Sequence, residues 1–234
     1  MSRFTPVYGE FVDRLDEIIL LRSKAAALAR TTLAVRHRAE ISALCRGSVV
    51  LLSSHIEAYI KELGEHTLDA IYNNEVCRSK IALPFFYHLS RARIENVRNG
   101  SQPAVIAEHM KSFVESDAAM WGTHGRFPAP IPAQEFNGGF SNPKFDKVKA
   151  YLGRFGYQSF RQDFMRKLGR AAQPTITGLD QIVDTRNSIA HGDPAATKTP
   201  AEVKEMIELA KVFCRTVDGT FAEWCSANIC SIRK

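Results

Sequence analysis

The chain has no apolar run approaching the roughly 18 residues that a membrane-spanning helix needs. Its opening Met1-Ser2-Arg3-Phe4 is not a cationic stretch leading into an apolar one, so no secretory leader is read there. The expectation is a cytoplasmic protein that does not engage a membrane. Close cysteine pairs are missing too. Cys45, Cys77, Cys214, Cys225 and Cys230 are odd in number and none is paired at the spacing that zinc sites use. They read as buried or incidental thiols of a reducing compartment, with no Cys-His constellation to make a nucleophile. No glycine-rich phosphate loop is present, and Gly138-Gly139 is a turn signal. His88, His109 and His124 lack a spaced carboxylate or second histidine, which argues against a zinc hydrolase. No cofactor and no metal is implied.

What is present is ordinary globular composition: 45% hydrophobic and 24% charged residues, which argues against disorder throughout. A chain of 234 residues can bury one large core, and nothing marks a second domain. The formal charge of +6 favours polyanions only modestly. Its distribution says more. Basic residues gather at Arg22, Lys24, Arg30, Arg36, Arg38 and Arg46, again between Arg91 and Arg98, and again between Lys144 and Arg170. Such clusters suit a phosphate backbone, and equally suit the solvated face of a helix.

The periodicity is helical from end to end. Phe11, Leu15, Ile18 and Ile19 have helical spacing, and a longer run from about 39 to 71 carries Ile41, Leu44, Cys45, Ser48, Leu52, Ile56, Tyr59 and Leu63. Residues 103–120 read as helix after the Gly100-Ser101-Gln102-Pro103 break. Residues 121–142 do not: glycines and prolines surround Phe127, Phe136 and Phe140, the composition of a long loop whose aromatics, if exposed, could stack on unpaired bases. Thr199-Pro200-Ala201-Glu202 is a capping box that opens a final helix. Its stripe of Val203, Met206, Ile207, Ala210, Phe213, Val217, Phe221 and Trp224 is long enough to pack the core with some left for a partner. The fold class expected is an all-α bundle, a single domain over 1–234 with a loop-rich insertion at 76–141.

The chemistry concentrates in Arg186-Asn187-Ser188-Ile189-Ala190-His191, just before Gly192-Asp193-Pro194. Leu179, Ile182, Val183, Arg186 and Ala190 follow the spacing of a buried stripe, so Arg186 occupies a position where an apolar residue is expected. Thr177 with Asp180 suggests a helix start, and Gly192 and Pro194 a stop, for a helix of about 13 residues. On a helical wheel Asn187 and His191 lie about 40° apart, whereas Arg186 and His191 lie about 140° apart. An inward guanidinium cannot lose its proton and needs partners for five donors. One reading pairs Arg186 with a core carboxylate while His191 caps the last carbonyls. The other is an anion site in which the arginine grips a phosphate and the histidine moves a proton.

The arginine, the polar residue after it and the histidine five positions on resemble the signature of the HEPN superfamily. The stretch Ser53-Ser54-His55-Ile56-Glu57-Ala58-Tyr59-Ile60-Lys61-Glu62-Leu63 looks like the first core helix of its RiboL-PSP and MAE-like groups. The run from Asn142-Pro143-Lys144-Phe145 to Leu152-Gly153-Arg154-Phe155-Gly156 looks like the lead-in to their motif helix. The resemblance implies a HEPN-like helical bundle acting as a metal-independent endoribonuclease, a homodimer with a composite active site. His191 would be the general acid or base, Arg186 would stabilise charge on phosphate, and Asn187 would hold His191 or a phosphate oxygen. Glu57 would orient Arg186, unless it is a surface residue beside Lys61, its i+4 neighbour. Asp184 and Ser188 are further candidates for the cleft wall. RNA is the implied substrate, because the reaction uses a ribose 2′-hydroxyl. A toxin or defence effector, restrained by a neutralising antitoxin or regulatory protein, is the implied role. A catalytically silent HEPN module that binds nucleic acid or protein, and a purely structural helical protein, are the rival readings.

Overall fold

The computed structural model describes residues 3–233, and among them there are helices, turns and no strand. The all-α expectation holds. Helix α1 (Pro6–Ala29) starts on Thr5, whose hydroxyl accepts the Tyr8 N–H at 3.4 Å, with Pro6 in the first turn where its missing N–H costs nothing. Phe11, Leu15 and Ile18, spaced three and four apart, are fully buried against α2 (Arg38–Asn73). Helix α2 runs 36 residues without a proline. Its Gly64 is required by a close crossing: a Cβ there would lie 1.8 Å from the Tyr151 hydroxyl.

Short helices fill the middle of the chain: α3 (Leu83–Leu89), α4 (Arg91–Asn99), α5 (Pro103–Asp117), α6 (Ala133–Asn137), α7 (Phe145–Gly153) and α8 (Phe160–Leu168). Helices α4 and α5 form a hairpin that packs mainly on itself, and Asp117 is its one buried residue, paired with Arg93 at 2.8 Å. Helix α9 (Ala172–Ala190) and helix α10 (Pro200–Asn228) complete the bundle against α2.

Two expectations need correction. The 121–142 loop is not an exposed aromatic platform, since Phe127, Phe136 and Phe140 are at most 5% exposed. Phe136 packs on Phe155 with ring centroids 4.7 Å apart, and Phe140 on Tyr151 at 4.8 Å. Contrary to expectation, one short helix, α6, forms within the loop and carries Phe136; the rest contributes its apolar side chains one at a time, with its backbone held from outside. Arg154, itself buried, donates to the carbonyls of Phe136 and Gly138, and Asn137 bridges Tyr151 and Glu65.

Helix α9 begins at Ala172, not at Thr177. Pro174 falls in the first turn, where it removes no hydrogen bond, so the helix extends upstream of it. Thr177 is interior and accepts from Gln173, while Asp180 turns outward from its own helix and accepts the Phe145 N–H at 3.0 Å, capping α7.

The α10 stripe is used mainly by the core. Val203, Ile207, Ala210, Phe213, Val217 and Phe221 are buried, and Met206 and Trp224 pack partly buried on the same core. The helix passes through the middle of the bundle, buried on most sides from Phe213 to Ala222 except at Arg215. That course carries the Asp218 carboxyl inside, where it accepts the backbone N–H and hydroxyl of Thr5 and the Tyr59 hydroxyl. Burial pushes this carboxyl above its ordinary range against the pull of the Thr5 hydrogen bonds.

Candidate functional site

Leu179, Ile182 and Val183 bury one face of α9, which brings its last turn to the rim of the bundle beside α2. Arg186, one turn further on, is half-buried, as its place on the stripe requires. Its partners are not carboxylates. Nη1 donates to the side-chain carbonyl of Asn187 at 3.0 Å and, more weakly, to that of Asn142 at 3.4 Å. Among the described residues Arg186 forms no ion pair, so the reading that buries it against a core acid fails. A guanidinium held by two neutral amide oxygens keeps its full charge and its capacity for an anion.

Asn142 joins the site without any motif in the sequence marking it as a functional group. It has φ +53°, the left-handed region that asparagine tolerates better than most side chains. Its backbone N–H donates to Glu57 Oε2 at 3.1 Å. The other Glu57 oxygen accepts from Lys61 at 2.7 Å. Glu57 thus pairs with Lys61 and holds the backbone of Asn142, whose side chain in turn accepts from Arg186. The Asn-Pro pair at 142–143 marks a turn in the sequence, but no local signal says what the side chain faces.

The end of α9 is built by backbone. Gly192, at φ +81°, donates to the Ile189 carbonyl at 3.1 Å, and Asp193 N–H donates to the Ser188 carbonyl at 3.0 Å. This is a Schellman closure, and the positive φ explains the glycine. It leaves His191 as the capping residue, with its N–H on the Asn187 carbonyl at 2.9 Å and its side chain exposed. No hydrogen bond joins the His191 ring to Arg186 or Asn187 among the described residues. Asn187 thus supports Arg186 with its side chain and His191 only with its backbone.

Asp184 and Ser188 stand apart from this group. They line a shallow depression of about 460 Å³ with Gln181, Asp193 and Lys198, on a wall that does not include Arg186 or His191. Asp184 pairs with Lys144 at 2.6 Å and holds its ammonium above the usual lysine range. The loop that closes this depression is tied to α2 by Arg46, whose Nη1 donates to the Asp193 carbonyl at 2.9 Å and the Ala196 carbonyl at 3.5 Å.

His55 is half-buried and paired with Glu17. His88 is pushed down to about 4 by burial and by the Arg154 and Arg91 charges. Cys45, Cys214 and Cys225 are buried free thiols. Among the described residues no cluster of histidine, cysteine or acidic side chains could hold a metal ion, and no helix is long and apolar enough to cross a membrane.

A family model described as RiboL-PSP-HEPN matches residues 10–223. No curated protein and no solved structure matches the chain. The matched span takes in α2, the Asn142 turn, the whole of α9 and nearly all of α10. The chain belongs to the RiboL-PSP-HEPN family.

Proposed function

We propose that this protein is a metal-independent endoribonuclease whose chemistry is carried by His191 and Arg186. The observation that carries the reading is the state of Arg186: a rim guanidinium with no acidic partner among the described residues, steadied by Asn142 and Asn187, on the same helix end as an exposed histidine. Membership of a family of nuclease or nucleotide-binding domains supports the general class.

In the proposed reaction a ribose 2′-oxygen attacks the adjacent phosphorus while a histidine accepts the hydroxyl proton. The bond from phosphorus to the 5′-oxygen breaks, and that oxygen takes a proton from a second acid. The products are a 2′,3′-cyclic phosphate and a free 5′-hydroxyl. In this reading Arg186 grips the non-bridging oxygens as charge builds on them. One chain supplies one such histidine at one helix end. A homodimer with a composite site would supply both proton-transfer groups, and twofold dimers are the commonest assembly. Asp184 and Ser188, on the far wall of α9, are assigned to contacts outside the reacting centre. The biological role proposed is a toxin or defence effector restrained by a neutralising or regulatory partner. The self-packed α4–α5 hairpin is consistent with 76–141 as an insertion into a single domain.

The deciding experiment is cleavage of a mixed RNA pool in EDTA by wild type, His191→Ala and Arg186→Ala, with product ends mapped and folding checked by circular dichroism. Cleavage that is lost in both folded variants, with cyclic phosphate ends, supports the reading. Absence of cleavage by a folded wild-type dimer that still binds RNA moves the assignment to a silent binding module.

A further inference from the structure

The cluster Arg22 to Arg46 has a place in the fold that its sequence does not reveal. Between Glu17 and Glu57 the one acidic residue is Glu40, and it is occupied by Lys24 at 3.5 Å and His37 at 3.4 Å. Arg30, Arg36 and Arg38 surround the turn that joins α1 to α2 and are exposed. They form no ion pair among the described residues. Leu33 and Val35 stand out beside them, 47% and 88% exposed. Arginines massed without counter-charge around exposed apolar side chains repel one another, a cost that a polyanion relieves.

The two helices that meet at this turn are each tied to the connection that follows α9. Arg46 on α2 holds the carbonyls of Asp193 and Ala196, two and five residues beyond His191. Arg22 on α1 donates to the Pro200 carbonyl at 3.3 Å where that same connection enters α10. Asp193, the nearest carboxylate on that connection, turns its side chain back onto the Ala195 N–H at 2.8 Å. From Arg46 to Arg38 is eight residues of continuous helix, about 12 Å at 1.5 Å per residue. That length matches roughly three to four stacked nucleotides at about 3.4 Å each.

We propose that the α1–α2 turn, through Arg30, Arg36 and Arg38, is a backbone-binding extension that engages the RNA strand several nucleotides away from the bond cut at His191. This rests on the ribonuclease reading for the position of the cut, while the binding itself does not depend on catalysis. The contacts are to phosphates, so the extension adds affinity for strands long enough to reach it, without base preference.

The test is Arg30→Glu/Arg36→Glu/Arg38→Glu, all at exposed positions, against wild type on a 20-nucleotide single-stranded RNA and on the dinucleotide UpA. The expected result is a rise of about tenfold or more in KM for the 20-mer, with kcat and UpA cleavage unchanged. Binding of the 20-mer by fluorescence anisotropy is expected to lose about two units of its log–log salt slope, since each single-strand phosphate contact contributes about 0.7. An unchanged KM and salt slope overturn the proposal. If wild type cuts neither RNA, the ribonuclease reading has failed and anisotropy still decides this one: binding weakened in the variant sustains the extension, and binding that is unchanged or absent in wild type overturns it.

Discussion

Arg186 and Asn142 meet across 44 residues of sequence, the guanidinium donating to the asparagine side chain at 3.4 Å while Glu57 holds the Asn142 backbone N–H at 3.1 Å. The carboxylate is thus one residue removed from the arginine. This spacing matters because a carboxylate in direct contact would neutralise the guanidinium and compete with a phosphate for it.

Asn142→Asp puts a carboxylate of the same shape directly against Arg186. We expect KM for RNA to rise tenfold or more with melting temperature unchanged or higher, since the new pair satisfies charge inside the site. Steady-state kinetics and thermal melts check it, and an unaltered KM would remove Asn142 from the site.

Gly192→Ala tests the helix closure. An alanine at φ +81° costs about 1–2 kcal/mol, and the strain is relieved by opening the turn that fixes His191. Activity at a temperature where the variant is fully folded is expected to drop by more than the loss of stability accounts for. Equal activity in the folded fraction would mean that the Schellman turn supports the fold alone.

Phe136→Ala separates core from recognition. The side chain is fully buried between Phe85, Phe155 and Tyr151, so truncation is expected to cost about 3–5 kcal/mol. Urea denaturation measures this. A variant of normal stability with an altered cleavage pattern would restore the loop as a base-reading surface.

Acid sensitivity is expected from His88. Burial beside Arg154 lowers its folded value to about 4 from the ordinary 6.5, so between those values the unfolded chain binds the extra proton. The stability this group contributes is complete above about pH 6.5 and is lost as the pH falls towards 4. The ring is only partly buried, so solvent screening limits the loss to about 1–2 kcal/mol. Urea midpoints at pH 7 and pH 4.5 should fall further apart for wild type than for His88→Leu. Identical pH dependence of the two would remove His88 as the cause.

Features that depend on neighbours along the chain are legible in the sequence alone. The capping box at Thr199 and Glu202, the glycine stop at 192, and the apolar stripes of α1, α2 and α10 are each set by residues within one or two helical turns. The inward place of Arg186 is legible for the same reason, because helical periodicity fixes the direction of a side chain.

What the sequence by itself determined is therefore an all-α chain carrying an arginine, an asparagine and a histidine at one helix end. Tertiary structure decided the rest. Whether Arg186 meets an acid or an amide depended on a turn 44 residues away, and whether Phe127, Phe136 and Phe140 face water or core depended on the space between α2, α3 and α7. Asp180 reads as part of the cap of its own helix, but α9 begins at Ala172, so Asp180 is interior to it and accepts the Phe145 N–H of α7 instead. Local pattern fixes direction along one element, but the partner met in that direction is set by packing between elements, which no window of a few turns contains.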